Sequence, residues 1–238
     1  MTSTEAQAER PMLKRSSAFL KTLYATATCI ALFVVAKLVA RNVHFPPLTH
    51  TILLLSSLGL AAVLSRGDLS AFGLTKGRFH FHPRLLLWAC PMAVPATIQA
   101  ITLRHASSVP MPEIGPQSPL AVVLLVWVYS SVCEEVFTRG LYQSWLSELR
   151  EYKFRVYHQF YLRTPVLLSA LLFGGMHSVL WAKMGPRALL VMMMAAFLGI
   201  VAGYYRDKTG SVLPAILIHA LFNVGGTLPI WILRILHR

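Results

Sequence analysis

The amino-acid sequence predicts an all-α polytopic membrane protein of about eight transmembrane helices, and three observations carry that prediction. Hydrophobic residues make up 55% of the chain and charged residues only 13%, with a mean hydropathy of +0.58, whereas a soluble domain carries roughly 25% charged residues. Apolar stretches near the spanning length of about 20 residues recur along the chain. Lys and Arg gather in alternate connections between those stretches. The formal net charge of +13 therefore marks cytoplasmic loops, and a soluble nucleic-acid binder is excluded.

Residues 1–17 are polar and read as a cytoplasmic tail, followed by one integral membrane domain over 18–238. Lys14 and Arg15 precede the first apolar stretch as in a signal peptide, but no small-residue cleavage site follows before Arg41, so 18–40 is an uncleaved span. Further spans are expected at 48–65, 84–103, 118–138, 165–182, 187–205 and 211–224. An eighth, at 224–236, is set off by Gly225 and Gly226. Pro-rich 109–119 reads as an external loop opening the fourth span. The connection 147–164 holds Tyr152, Phe154, Arg155, Tyr157 and Tyr161, which suits a helix lying on the membrane surface or an ordinary solvated loop.

Basic residues cluster in 1–17, 66–84, 147–164, 206–210 and 234–238, while the opposite loops hold only Arg41, Arg104, Lys183 and Arg187. Eight spans with this bias put both termini in the cytoplasm. Lys21 and Lys37 lie near the ends of the first span, where long stems can snorkel to the interface. Cys29, Cys90 and Cys133 form no CxxC pair and suggest neither a disulfide framework nor a thiolate zinc site.

Ionisable groups inside hydrocarbon cost at least about 2.5 kcal/mol each on insertion scales, so those that cannot reach an interface point to function. Glu134, Glu135 and Arg139 continue the apolar run 121–128 with no intervening loop signal. On a helix Glu135 and Arg139 stand at i and i+4 and can pair, while Glu134 points about 100° away and is left poised. The competing reading ends the span near Ser131 and leaves all three as wet interfacial charges. Two more helices offer polar faces: Phe173 and His177 in FGGMH, and His219 and Asn223 in HALFN, each pair at i, i+4. Together they imply a shared polar cavity, with Gly174, Gly175, Gly199 and Gly203 letting the surrounding helices approach closely.

EEVFTR at 134–139, FGGMH at 173–177 and HALFN at 219–223 satisfy, in order, the signatures EExxxR, FxxxH and HxxxN. On these motifs the chain resembles the type II CAAX prenyl endopeptidase family, also called the CPBP family, over a core of about residues 70–226. FGLTKGRF at 72–79 and GSVLPAILIHALFNVGG at 210–226 are similar to family members as well. The resemblance implies an intramembrane endopeptidase in which Glu134 and His177 activate a water, Glu135 and Arg139 organise the site, and His219 and Asn223 stabilise the oxyanion. It implies a membrane-associated protein or peptide as substrate, the bilayer as partner and no nucleic acid.

A glutamate-type, metal-free mechanism is favoured; HExxH is absent and Arg139 would repel a dication. Zinc on Glu134, His177 and His219 is the alternative, and Cys133 as a nucleophile ranks below both. Two readings from other classes compete with the enzyme: a non-catalytic membrane scaffold or immunity factor, and a proton or ion pathway using the same carboxylates and imidazoles as relays. The compact length and short loops resemble prokaryotic members, which implies the plasma membrane.

Overall fold

Without water in the hydrocarbon region, an apolar chain must satisfy its peptide groups internally, and among the described residues this one does so mainly in helices. The structure, a computed structural model, describes residues 3–43, 45, 47–78, 90–104, 119–158 and 160–236. The helices are α1 (Ser3–Asn42), α2 (Leu48–Leu64), α3 (Ala93–Arg104), α4 (Pro119–Trp145), α5 (Thr164–Met176), α6 (Ala188–Thr209) and α7 (Leu213–Leu236). Among the described residues three apolar stretches are long enough to cross a membrane: Ser17–Asn42, Pro119–Trp145 and the joined run Thr164–Thr209. Leu48–Leu64 and Leu213–Pro229 are shorter apolar helices. Residues 84–89 of the expected third span and the expected external loop at 109–118 lie outside the described residues.

Helix α4 stands at the centre of the packing. It touches α2, α5 and α7, while α5 packs along α6, α3 along α7 and α1 along α2. Phe137, Leu141, Tyr142, Phe173, Leu198 and Ile218 form the buried core. Within α4 a five-residue α segment, Ser131–Glu135, is flanked by wider π-type turns at Val122–Ser130 and Val136–Tyr142. Such turns occur often at functional sites, and this α segment carries the two glutamates.

The structure gives three expectations a more definite form. The segments 211–224 and 224–236 are not two separate spans but one continuous helix, Leu213–Leu236. Gly225 does not break the chain but brings α7 against α3: a Cβ there would lie 2.5 Å from the Cα of Ala93. The polar stretch before residue 18 is helical from Ser3, continuous with α1. Finally, the connection after α4 is neither a surface helix nor a plain loop. After a 3₁₀ turn at Ser147–Glu151 it forms an antiparallel hairpin of β1 (Lys153–Tyr157) and β2 (Phe160–Arg163), an exception to the all-α class.

The loop after α2 clasps the α6–α7 connection. Gly73, at φ 68°, sits against the guanidinium of Arg206 and its carbonyl accepts from the backbone of Val212, while Ser211 Oγ donates to the carbonyl of Thr75. Asp68 opens this loop by accepting from the backbone N–H and hydroxyl of Ser70, bonds that hold its carboxyl below the ordinary carboxylate range. At the same end of the bundle Arg150 and Arg163 both pair with Asp207.

Candidate active site

Because α4 runs on to Trp145 instead of ending near Ser131, Glu135 and Arg139 are fully buried. The reading that made them wet interfacial charges is thereby removed. They pair as their spacing predicts, with Arg139 Nη1 3.1 Å from Glu135 Oε1. The same nitrogen donates to the hydroxyl of Thr138, and the guanidinium carbon lies 4.6 Å from the ring centroid of Phe173. Gly199 makes room for this arrangement: a Cβ there would stand 2.9 Å from Arg139 Nη2 and 2.8 Å from the Cα of Ala170. Gly174 also lies at a close helix contact, whereas Gly175 faces open space.

Glu135 holds His219 as well. Its Oε1 accepts from His219 Nδ1 at 2.8 Å, and the opposite ring nitrogen, Nε2, faces Glu134 Oε2 at 3.8 Å. Arg139, Glu135, His219 and Glu134 thus form one chain of polar groups from the core of α4 to α7 and back. In the neutral ring a proton on Nδ1 leaves Nε2 with the lone pair, facing the carboxylate. His177 is oriented in the same way, its Nδ1 donating to the carbonyl of Phe173 at 2.9 Å. The Phe173 ring meets both imidazoles edge-on, at centroid distances of 5.0 Å to His177 and 5.4 Å to His219. Phe173 is therefore the hub that spaces the two histidines and covers the buried cation.

Glu134, His177, His219 and Asn223 all line one cavity of about 710 Å³. Glu135 and Arg139 support it from behind. Its wall runs outward past Tyr129 to Lys37 and Arg41 of α1 and Lys183 of the α5–α6 connection, so it reaches the bundle end opposite the hairpin. Asn223 lies at the wall, yet its Nδ2 donates to the carbonyl of Val126 at 3.0 Å and to Ser131 Oγ at 3.1 Å. Those bonds tie α7 to α4. Of the two expected oxyanion donors, His219 is the one whose ring faces Glu134.

The residue that sequence reasoning missed is His50. It lies in the first turn of α2, lines the same cavity and donates from Nε2 to Glu134 Oε1 at 3.0 Å. Cys133 is fully buried and does not line the cavity. Among the described residues no group of three His, Cys, Asp or Glu is gathered as a metal-binding set.

Compared with known families, residues 116–225 match the family model described as type II CAAX prenyl endopeptidase Rce1-like. That segment contains α4 to the middle of α7 and with them all three signature motifs. Comparisons with curated proteins and with solved structures gave no match.

Proposed function

Residues 116–225 match the model of the type II CAAX prenyl endopeptidase family, and from that match we propose that the chain is an intramembrane endopeptidase of this family. It hydrolyses a peptide bond in a membrane-associated protein or peptide. The observation that carries this reading is the meeting of Glu134, His177 and His219 in one cavity of about 710 Å³ inside an apolar bundle. An isolated set of buried ionisable groups is costly in a membrane and is retained where it works.

In the proposed reaction Glu134 and His177 take a proton from a cavity water as its oxygen bonds to the scissile carbonyl carbon. The carbonyl oxygen becomes the oxyanion, which His219 stabilises in its imidazolium form, Nε2–H donating to the oxyanion while Nδ1–H stays on Glu135, itself paired with Arg139. Collapse of the intermediate breaks the C–N bond, and the proton passes to the leaving amine. Donors fixed in a water-poor site are worth most where charge develops, and a general base contributes about 10²–10⁴-fold. Asn223 joins the oxyanion site on release from Val126 or Ser131 and otherwise holds α7 in register.

The function is tested in cells by comparing the membrane and secreted peptidomes of wild type and Glu134→Gln. One precursor should accumulate uncut in the variant. Identical peptidomes would remove the activity.

We also propose the orientation. The hairpin end carries Arg66, Lys76, Arg150, Lys153, Arg155 and Lys208 and faces the cytoplasm. The cavity then opens on the other face, toward exported peptides. With α7 as a single crossing, its C-terminal end at Leu236 lies on that face too. In a variant without native cysteines, Arg187→Cys and Arg238→Cys should react with an impermeant maleimide from outside, and Ser3→Cys only after permeabilisation. Protection of residue 238 would restore an eighth span, and labelling of residue 3 alone would invert the orientation.

A further inference from the structure

His50 belongs to none of the three signatures, and it touches the carboxylate that would act as base. The bond is 3.0 Å, between His50 Nε2 and Glu134 Oε1, and both side chains are about four-fifths shielded, at 21% and 17% exposure. The turn that carries His50 is itself fixed. Thr51 Oγ1 lies 2.8 Å from the hydroxyl of Tyr129 on α4 and also donates to the carbonyl of Pro47. Two consecutive side chains of α2 thus engage α4 at the level of the glutamates.

A carboxylate has two oxygens, and the neighbours divide them. Oε1 is held by His50, while Oε2 faces His219 across 3.8 Å. A free carboxylate at the end of a glutamate side chain turns about its last bond over a broad range, which would blur the position of the oxygen that takes the proton. We infer that His50 is a positioning residue: by holding Oε1 it fixes the Glu134 carboxylate so that Oε2 is the oxygen presented to water in the cavity. The inference rests on the peptidase reading for its catalytic meaning, but the hydrogen bond can be tested without any substrate.

The test uses the full chain in lipid nanodiscs, as wild type, His50→Leu, His50→Gln, Thr51→Val and Glu134→Gln. Leu fills the space without donating, and Gln can still donate. The first readout is infrared difference spectroscopy, in which the carboxylate band of Glu134 is the one lost in Glu134→Gln. That band should shift in His50→Leu and keep its wild-type position in His50→Gln and Thr51→Val. The second readout is turnover of an internally quenched, S-farnesylated CAAX peptide, with its unprenylated form beside it. His50→Leu should lose about ten- to hundredfold in kcat with KM nearly unchanged, the scale of one hydrogen bond to a charged group. His50→Gln should recover most of the loss.

An unshifted band in folded His50→Leu would overturn the inference, as would an equal shift in Thr51→Val, which would reduce His50 to helix docking. A shifted band with no wild-type cleavage of either peptide leaves the positioning intact and counts against the prenyl-peptide form of the peptidase reading alone.

Discussion

Glu134→Gln should lose about 10²–10⁴-fold in turnover, the whole contribution of a general base, while retaining wild-type folding. Its carboxylate lies at the cavity wall among histidines, and an amide of the same shape keeps an acceptor for His50 Nε2. His177→Ala should be nearly as severe, since its ring lines the same cavity with Nδ1 fixed on the Phe173 carbonyl. The double variant should cost little more than either single one, because groups that act on one proton are strongly non-additive. Steady-state kinetics of the four proteins on one cleaved peptide decide this. Additive losses would separate the two residues into independent roles, and full biological function in Glu134→Gln would leave only a scaffold.

Arg139→Met is expected to act chiefly on the fold. The guanidinium is completely buried, bonds Glu135 and Thr138 and covers the Phe173 ring. Its removal leaves the Glu135 carboxylate buried without its cation, at a cost of about 3–5 kcal/mol. The yield of folded protein in mild detergent should fall accordingly. Glu135→Gln should lower yield and turnover together, because it strands Arg139 and loosens His219. The combined Glu135→Gln, Arg139→Met protein separates the two effects. Replacing both charges should restore much of the folded yield, whereas turnover stays low because His219 no longer donates to a carboxylate. Normal yield and turnover in Glu135→Gln would detach the ion pair from the site.

Much of this was legible from the chain. Apolar runs gave the helices, and the i, i+4 pairs in EEVFTR, FGGMH and HALFN indicated which faces turn inward, because the helical period alone puts those side chains over one another. The limits have particular causes. His50 stands alone at the start of an apolar run and finds Glu134 84 residues away, a pairing that only the packing of α2 against α4 creates. The hairpin was within reach: Lys153, Arg155 and Tyr157 alternate with Phe154 and Val156, a period of two that the aromatic and basic content obscured. Gly225 and Gly226 read as a break by the rules of soluble chains, but between membrane helices glycine serves close approach. The span expected at 118–138 covers most of α4, but its continuation to Trp145 was not legible, since nothing in the sequence there distinguishes a charged helix end from a buried ion pair.

Hydrolysis by a Glu134-activated water is tested most directly by mass spectrometry of single-turnover products formed in H₂¹⁸O by the purified protein in nanodiscs. The substrate is the precursor that accumulates in Glu134→Gln cells. Wild type should yield a new C-terminus carrying one ¹⁸O, and Glu134→Gln should yield no product on the same time scale. Cleavage by Glu134→Gln at the wild-type rate, or an intact precursor with both proteins, would contradict it.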